Sequence, residues 1–265
     1  MQFRVKQFVL AAAFAMQSGA VSAGAWTLPE GKTQLISTFF LSRAGRAFDD
    51  SGDPSIPVTF DKYLSQSYIA YGAFDGVTLL LDPEYAVARQ GVPGGRQTSA
   101  SAFAIGGGIQ GLVFDNNFGV LSVEGSFKSA GAFDTNVSVN KESGQQYELR
   151  ALYGANFPVF DMTGFTDIEV AERWIAGGRP NETPIDVTLG LHITPQLMVL
   201  AQSFNIIAGG DAELPYTYYR SHKVELSAVQ HIWHGYSLQA GLFVSPAGQN
   251  SLKEQGITVG LWDDF

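Results

Sequence analysis

Cysteine is absent from all 265 residues, which removes disulfides and thiolate metal sites. Charge is sparse as well, with Asp, Glu, Lys and Arg at 15% and only four histidines. Basic charge is the scarcer sign: 16 Lys and Arg stand against 25 Asp and Glu, so the cationic surface that nucleic acid requires is missing. Long hydrophobic runs are missing too. The longest, Phe8 to Met16, has nine residues, whereas a helix needs about 20 to cross a bilayer. Arg4 and Lys6 precede that run and Val21-Ser22-Ala23 supplies small residues after it, the order of a secretory signal peptide. Residues 1–23 are therefore read as a leader and 24–265 as one domain beginning near Gly24. Without Arg4 and Lys6, 14 basic residues face 25 acidic ones, a net charge of −11.

What is abundant points to β structure. Thirty glycines, nineteen phenylalanines and ten tyrosines suit an all-β chain better than a helical one. Period-two alternation recurs from Thr33 to the C-terminus and predicts about twelve strands. Tyr63, Ile69 and Tyr71 oppose Lys62, Gln66 and Gly72. Leu79, Leu81, Tyr85 and Val87 oppose Thr78, Asp82 and Glu84. Tyr147, Leu149, Ala151 and Tyr153 oppose Glu148 and Arg150, and Val224, Leu226 and Ala228 oppose Lys223, Glu225 and Ser227. One face is apolar and the other polar. Thr33–Ser42 is apolar on both parities, and Gln202 interrupts Met198, Leu200 and Phe204, so neither segment fixes its faces. Short connections such as Phe74-Asp75-Gly76 and Asp115-Asn116-Asn117 alternate with longer ones, expected at Arg43–Pro57, Gln90–Gln97, Ala130–Ser143, Gly177–Pro184, Ala208–Thr217 and Pro246–Ser251. Trp26 to Gly31 reads as a short polar lead-in.

The last nine residues carry a resemblance. Ile257, Val259, Leu261 and Phe265 share one face of a closing strand that ends on the aromatic itself, with Trp262 on the other face and Asp263 off-pattern. Such an ending resembles the assembly signal of bacterial outer-membrane β-barrels, with Trp262 and Phe265 in that role. The resemblance implies a Gram-negative outer-membrane protein exported through the periplasm, recognised by the barrel assembly machinery, and in contact with outer-membrane lipid and lipopolysaccharide. The fold implied is a transmembrane antiparallel up-and-down barrel with short periplasmic turns and longer extracellular loops. Phe74, Tyr85, Phe114, Phe118, Trp174, Trp233 and Tyr236 fit its aromatic girdles. Trp26-Thr-Leu-Pro-Glu-Gly and Tyr71-Gly-Ala-Phe-Asp-Gly-Val-Thr-Leu also resemble transporter-like barrels grouped with meta-pathway phenol degradation, which implies uptake of small compounds, aromatic ones included. A soluble sandwich would give the same alternation with its apolar face inward.

On the barrel reading, the polar parity faces the lumen. Candidate pore-lining residues are Asp82, Glu84, Glu124, Lys128, Glu148, Arg150, Asp167, Glu169, Arg173, Asp186, His192, Lys223 and Glu225. A ladder of mixed charge either selects solutes or fills and rigidifies a small barrel. Ala100, Ala102, Ala104, Gly106 and Gly108 leave space on their face. Gly106-x-Gly108-x-x-Gly111 spells a dinucleotide fingerprint but lies within a strand pattern, so no cofactor is expected. Glu172 shares the outward parity of Val170 and Trp174, which requires a place above the hydrocarbon or another register. His231 and His234 lack a third ligand for a metal, and Asp49, Asp50 and Asp53 read as a solvated acidic loop. A passive channel for small hydrophilic or weakly amphiphilic solutes is the leading expectation. The alternatives are a non-conducting surface-interaction barrel and a lipid-acting hydrolase, for which no Ser and His share an outward face within a strand or evident hairpin.

Overall fold

A sheet exposes unpaired donors and acceptors along its two edge strands, and pairing the first strand with the last removes both. The computed structural model, which describes residues 24–129, 144–209 and 218–265, closes in this way. Its twelve strands are β1 (Thr33–Ala47), β2 (Ile56–Phe74), β3 (Val77–Gly91), β4 (Gln97–Asn116), β5 (Gly119–Lys128), β6 (Gln146–Val159), β7 (Met162–Ile175), β8 (Asn181–His192), β9 (Leu197–Gly209), β10 (Arg220–Trp233), β11 (Tyr236–Gln249) and β12 (Gln255–Asp264). Each pairs antiparallel with its sequence neighbours, and β1 pairs with β12 from Gln34 opposite Asp264 to Arg43 opposite Gln255. Phe265 completes the seam. Thr33 N–H donates to its carbonyl at 2.7 Å, and its own N–H donates to the Thr33 carbonyl at 3.0 Å.

Short connections gather at the end where the seam finishes, at 75–76, 117–118, 160–161, 193–196 and 234–235. His234 and Gly235, with φ of 42° and 89°, give the last of these two consecutive left-handed residues, a turn whose twist matches that of the flanking strands. The longer connections lie at the opposite end. Strands run further into them than periodicity suggests: β1 and β2 reduce Arg43–Pro57 to 48–55, and β8 begins at Asn181 within the expected loop Gly177–Pro184. β11 continues through Pro246, which falls at the register shift between His222 and Val224, where the ladder does not need its missing N–H. Residues 1–23, expected as a leader, the expected loop Ala130–Ser143, and 210–217 of the expected loop Ala208–Thr217 lie outside the described residues.

The outer wall is an apolar band. Phe39, Leu79, Leu149, Leu226, Leu242 and Val259 are exposed on it. Phe74, Phe118, Phe160 and Trp233 are exposed at the short-turn end, and Trp174 and Tyr147 near the other. β1 takes its faces from its pairing with β12, leaving Leu35, Phe39 and Leu41 outward and Ile36, Thr38 and Phe40 inward. In β9 the apolar set Met198, Leu200 and Phe204 turns inward, and Met198 and Leu200 pack there in one apolar cluster with Trp262 and Phe165. Asp263 is outward but sits at the strand end opposite Leu35 and Tyr236, past the band. Glu172 keeps its outward register opposite Leu149 and accepts a hydrogen bond from Thr183 Oγ1 at 3.1 Å.

Candidate functional site

Within a barrel this narrow the inward side chains meet one another, and they form layers. At the short-turn end the segment after Gly24 does not lie outside as a polar lead-in. It folds into the lumen, and inward glycines on separate strands make the room. A β-carbon on Gly72 would lie 2.0 Å from the Pro29 carbonyl, and one on Gly154 would lie 2.5 Å from the Trp26 ring. Trp26 packs edge-on against Phe165, with ring centroids 6.1 Å apart. Strand side chains then satisfy the segment's backbone. Asp167 Oδ2 accepts from Ala25 N–H at 2.7 Å, Thr78 Oγ1 accepts from Leu28 N–H at 2.8 Å, and Gln110 Nε2 donates to the Gly24 carbonyl at 2.7 Å. Ser122 Oγ donates to the Ala25 carbonyl. Beside this plug, Met198, Leu200, Val229 and Trp262 form an apolar cluster. Trp262 Nε1 donates to Gln239 Oε1 at 3.0 Å, so the residue read as part of an assembly signal also fills the lumen.

The middle layer is ionic. Register places Glu124 opposite Arg150, Glu148 opposite Arg173 and Glu169 opposite Asp186. Arg150 holds Glu148 at 2.7 Å and Asp186 at 3.1 Å and also pairs with Glu169. Arg173 holds Glu148 at 2.6 Å and Glu182 at 2.8 Å. Lys128 reaches Asp82 at 2.9 Å and Glu84 at 2.8 Å across the glycine of β4. Glu225 accepts from Thr258 Oγ1 at 3.0 Å. Asp167 is inward beneath the plug, and His192 is inward near the short-turn end, away from this network. The sequence pattern had not singled out Glu182, Tyr68 or Glu254. Glu182 lay in an expected loop, and Glu254 belongs to no strand.

At the long-loop end the connection 250–254 turns inward. Leu252 joins Ala44, Phe60 and Ala88 in an apolar cluster. Glu254, 1% exposed, lies 3.3 Å from Lys62 and 3.6 Å from Lys223. Burial raises its affinity for a proton, but Lys223 and Lys62 outweigh that and hold the carboxyl below its ordinary value. In the neighbouring loop 48–55, Asp49 is lowered chiefly by the hydroxyl of Ser55 and accepts from the N–H groups of Ser51 and Asp53 at 2.9 and 3.0 Å. Its carboxylate is occupied as a loop brace.

Among the described residues, two cavities lie between the stoppers. One, of about 430 Å³, is lined by Tyr68, Asp82, Glu124, Lys128, Glu148 and Arg150, with Gly106 to Gly108 forming a wall. The other, of about 260 Å³, is lined by Phe40, Asp167, Asp186, Gln202, Glu225 and Thr258. Gly24, Ile36, Glu169 and Phe204 border both. The glycines of the Gly106-x-Gly108-x-x-Gly111 spelling thus lie inside β4, which runs on to Asn116 where a phosphate-cradling helix would have to begin, and Gly106 and Gly108 shape a cavity.

The outer wall carries a cluster that local sequence could not reveal. His222 and Ser203 lie outward on the adjacent strands β9 and β10, a pairing made by register across a long connection rather than within a strand or an evident hairpin. Asn205 Oδ1 lies 2.9 Å from His222 Nδ1, and Asn205 Nδ2 donates to Ser203 Oγ at 3.1 Å and to the Ile185 carbonyl at 2.8 Å. The serine hydroxyl is tied to the amide rather than the imidazole.

The fold and its lumen define the class: a closed twelve-stranded antiparallel barrel of the bacterial outer-membrane kind. The chain matches no protein-family model and no curated protein. It is similar to an outer membrane channel from Pseudomonas putida F1, with a TM-score of 0.69 at 14% identity over 93% of this chain and 100% of that one. It is also similar to the translocator domain of the autotransporter NalP from Neisseria meningitidis, with a TM-score of 0.55 at 12% identity and 90% of each chain covered. The β domain of the Bordetella autotransporter BrkA gives 0.53 at 11% identity, over 89% of this chain and 100% of that one. At these identities the likeness is one of fold.

Proposed function

We propose that this chain is an outer-membrane channel that passes small hydrophilic or weakly amphiphilic solutes by passive diffusion. The observation that carries the reading is the gathering of charged side chains of both signs on the inward parity around two luminal cavities. Asp82, Glu84, Glu124, Lys128, Glu148, Arg150, Asp167, Glu169, Arg173, Asp186, Lys223 and Glu225 line the path, with His192 near its short-turn end. Carboxylates are in excess, which favours cations. The plug after Gly24 and the inward loop 250–254 keep conductance small. No cofactor takes part. The resemblance to phenol-degradation transporters extends the reading to small aromatic solutes. Trp262 and Phe265 present the last strand to the assembly machinery, and the outer band contacts lipid and lipopolysaccharide.

Single-channel recording of refolded mature protein in a planar bilayer tests it. Discrete openings with cation preference, shifted by Arg173→Ala, are expected. Heat-modifiable, inserted protein that never conducts would refute the channel and favour a surface-interaction barrel, which the packed apolar layers at both ends also suit. Among the described residues, a lipid-acting hydrolase is favoured only by the outward His222, Asn205 and Ser203. That cluster lacks the contact between nucleophile and base on which such chemistry depends.

A further inference from the structure

Gly24 and Ala25, the first described residues, are gripped by side chains from β4, β5 and β7, deep inside the barrel. Gly24 has φ of 98°, and a β-carbon on it would lie 2.1 Å from Asp167 Oδ2 and 2.7 Å from Oδ1. The backbone at residue 24 therefore rests directly on that carboxylate, and no larger residue fits there. Asp167 is 4% exposed. Among the described residues no basic side chain forms an ion pair with it: Arg150 and Arg173 are engaged by Glu148, Glu169, Glu182 and Asp186. Glu169, two residues along the same inward face, adds a second negative charge. A buried carboxylate in such surroundings calls for a cation.

We propose that the cation is the chain's own amino terminus. Hydrolysis of the Ala23–Gly24 peptide bond adds water across it. Ala23 leaves with a carboxylate, and Gly24 keeps an amine that takes up a proton. In the folded barrel this α-ammonium lies on Asp167, one bond from the Gly24 α-carbon already seated there. The small residues Val21-Ser22-Ala23 suit a leader peptidase at that bond. Processing thus converts a neutral amide into a fixed positive charge. Since Gly24 borders both cavities, the charge stands at the boundary between them. It latches the plug and offsets part of the negative lumen.

The latch does not depend on conduction and is tested without it. Protein purified from outer membranes is weighed intact, and its N-terminal amine is labelled by reductive methylation in the folded and the urea-unfolded states. A mass beginning at Gly24 is expected, with labelling at least tenfold slower when folded. Asp167→Asn should restore most of the unfolded rate. If that variant fails to assemble, wild-type protein retaining Ala23 serves instead: its displaced amine should label at close to the unfolded rate. A terminus elsewhere, or a folded amine as reactive as the unfolded one, overturns the latch. A latched barrel that never conducts would overturn the channel and leave the latch standing.

Discussion

Removing Arg150 should be the most damaging single change in the lumen. Its guanidinium serves Glu148, Glu169 and Asp186, and its side chain is 12% exposed. After Arg150→Ala, Glu148 keeps Arg173 at 2.6 Å. Glu169 and Asp186 lose their guanidinium, and they face each other directly across β7 and β8. Like charges opposite one another are destabilising, and breaking a buried pair costs about 3–5 kcal/mol. Both carboxylates are a fifth or more exposed and border the cavities, so solvation returns part of that. A net loss of about 2–3 kcal/mol is expected, roughly 30- to 150-fold in the folding equilibrium. The assay is urea-driven unfolding in lipid vesicles, followed by the fluorescence of the luminal Trp26 and Trp262. In Glu169→Gln/Asp186→Asn protein the same substitution should cost far less, because the charges that need Arg150 are gone. Arg150→Lys should fall between, since an ammonium keeps the charge and loses the fork. In bilayers Arg150→Ala should raise cation preference. A loss below about 0.5 kcal/mol, with no change in the charge-neutral background and no shift in reversal potential, would refute the reasoning and mean that the guanidinium is merely solvated.

Three further outcomes follow from other layers. Trp26→Ala removes the ring that seats the plug against Gly154 and Phe165 and should raise single-channel conductance while leaving assembly intact; unchanged conductance would mean that the plug does not limit the path. Ser203→Ala should leave lipid hydrolysis by the purified barrel at background and unchanged, and a drop from a measurable rate would revive the enzyme reading. Glu254 makes the long-loop end acid-sensitive. Its carboxyl is held below its ordinary value of 4.5, so the unfolded chain binds the proton more readily. The stability it supplies is complete above that value and is lost as pH falls through the lower folded one. Wild-type protein should therefore loosen at 250–254 under acid, read as faster protease cleavage there, and Glu254→Gln should remove the pH dependence.

The wall was legible in the sequence because a strand sorts its residues by parity alone. Glu148 and Arg150 had to share a face, and Leu149 and Ala151 the other, whatever their partners. The pairings inside the lumen needed register as well. Glu148 meets Arg173 because β6 and β7 fold about residues 160–161, where the sequence indicated only a broader turn, Pro158 to Gly164. β9 misleads for a different reason. Its inward residues answer to Trp262 and Phe165 on other strands, so hydrophobicity does not mark the outside there. The plug was the least legible part. Trp26 to Gly31 has no periodicity, and the space that receives it is made by Gly72 and Gly154, which in one dimension look like ordinary strand glycines. His222, Asn205 and Ser203 likewise meet only through the β9–β10 register.

The two stoppers are held by different forces, and this decides which one answers to pH. The plug is pinned by hydrogen bonds to its backbone, from Thr78, Gln110, Ser122 and Asp167, together with the packing of Trp26. Three of those four side chains are uncharged at any relevant pH, so their hold does not titrate. The loop 250–254 has neutral ties as well, through Ser251 Oγ to the Arg220 carbonyl at 2.6 Å and through the apolar cluster around Leu252. Its innermost residue, however, is a carboxylate between two ammonium groups. Protonating Glu254 removes the attraction and leaves Lys62 and Lys223 facing a neutral group in a buried site, where uncompensated charge is costly. The mouth at the long-loop end is therefore built to respond to acid, while the plug at the short-turn end, with the proposed latch, responds to the chemistry of its own amino terminus. In the proposed channel, charge therefore acts at both ends of the path, and the ionic layer between them sets which solutes cross.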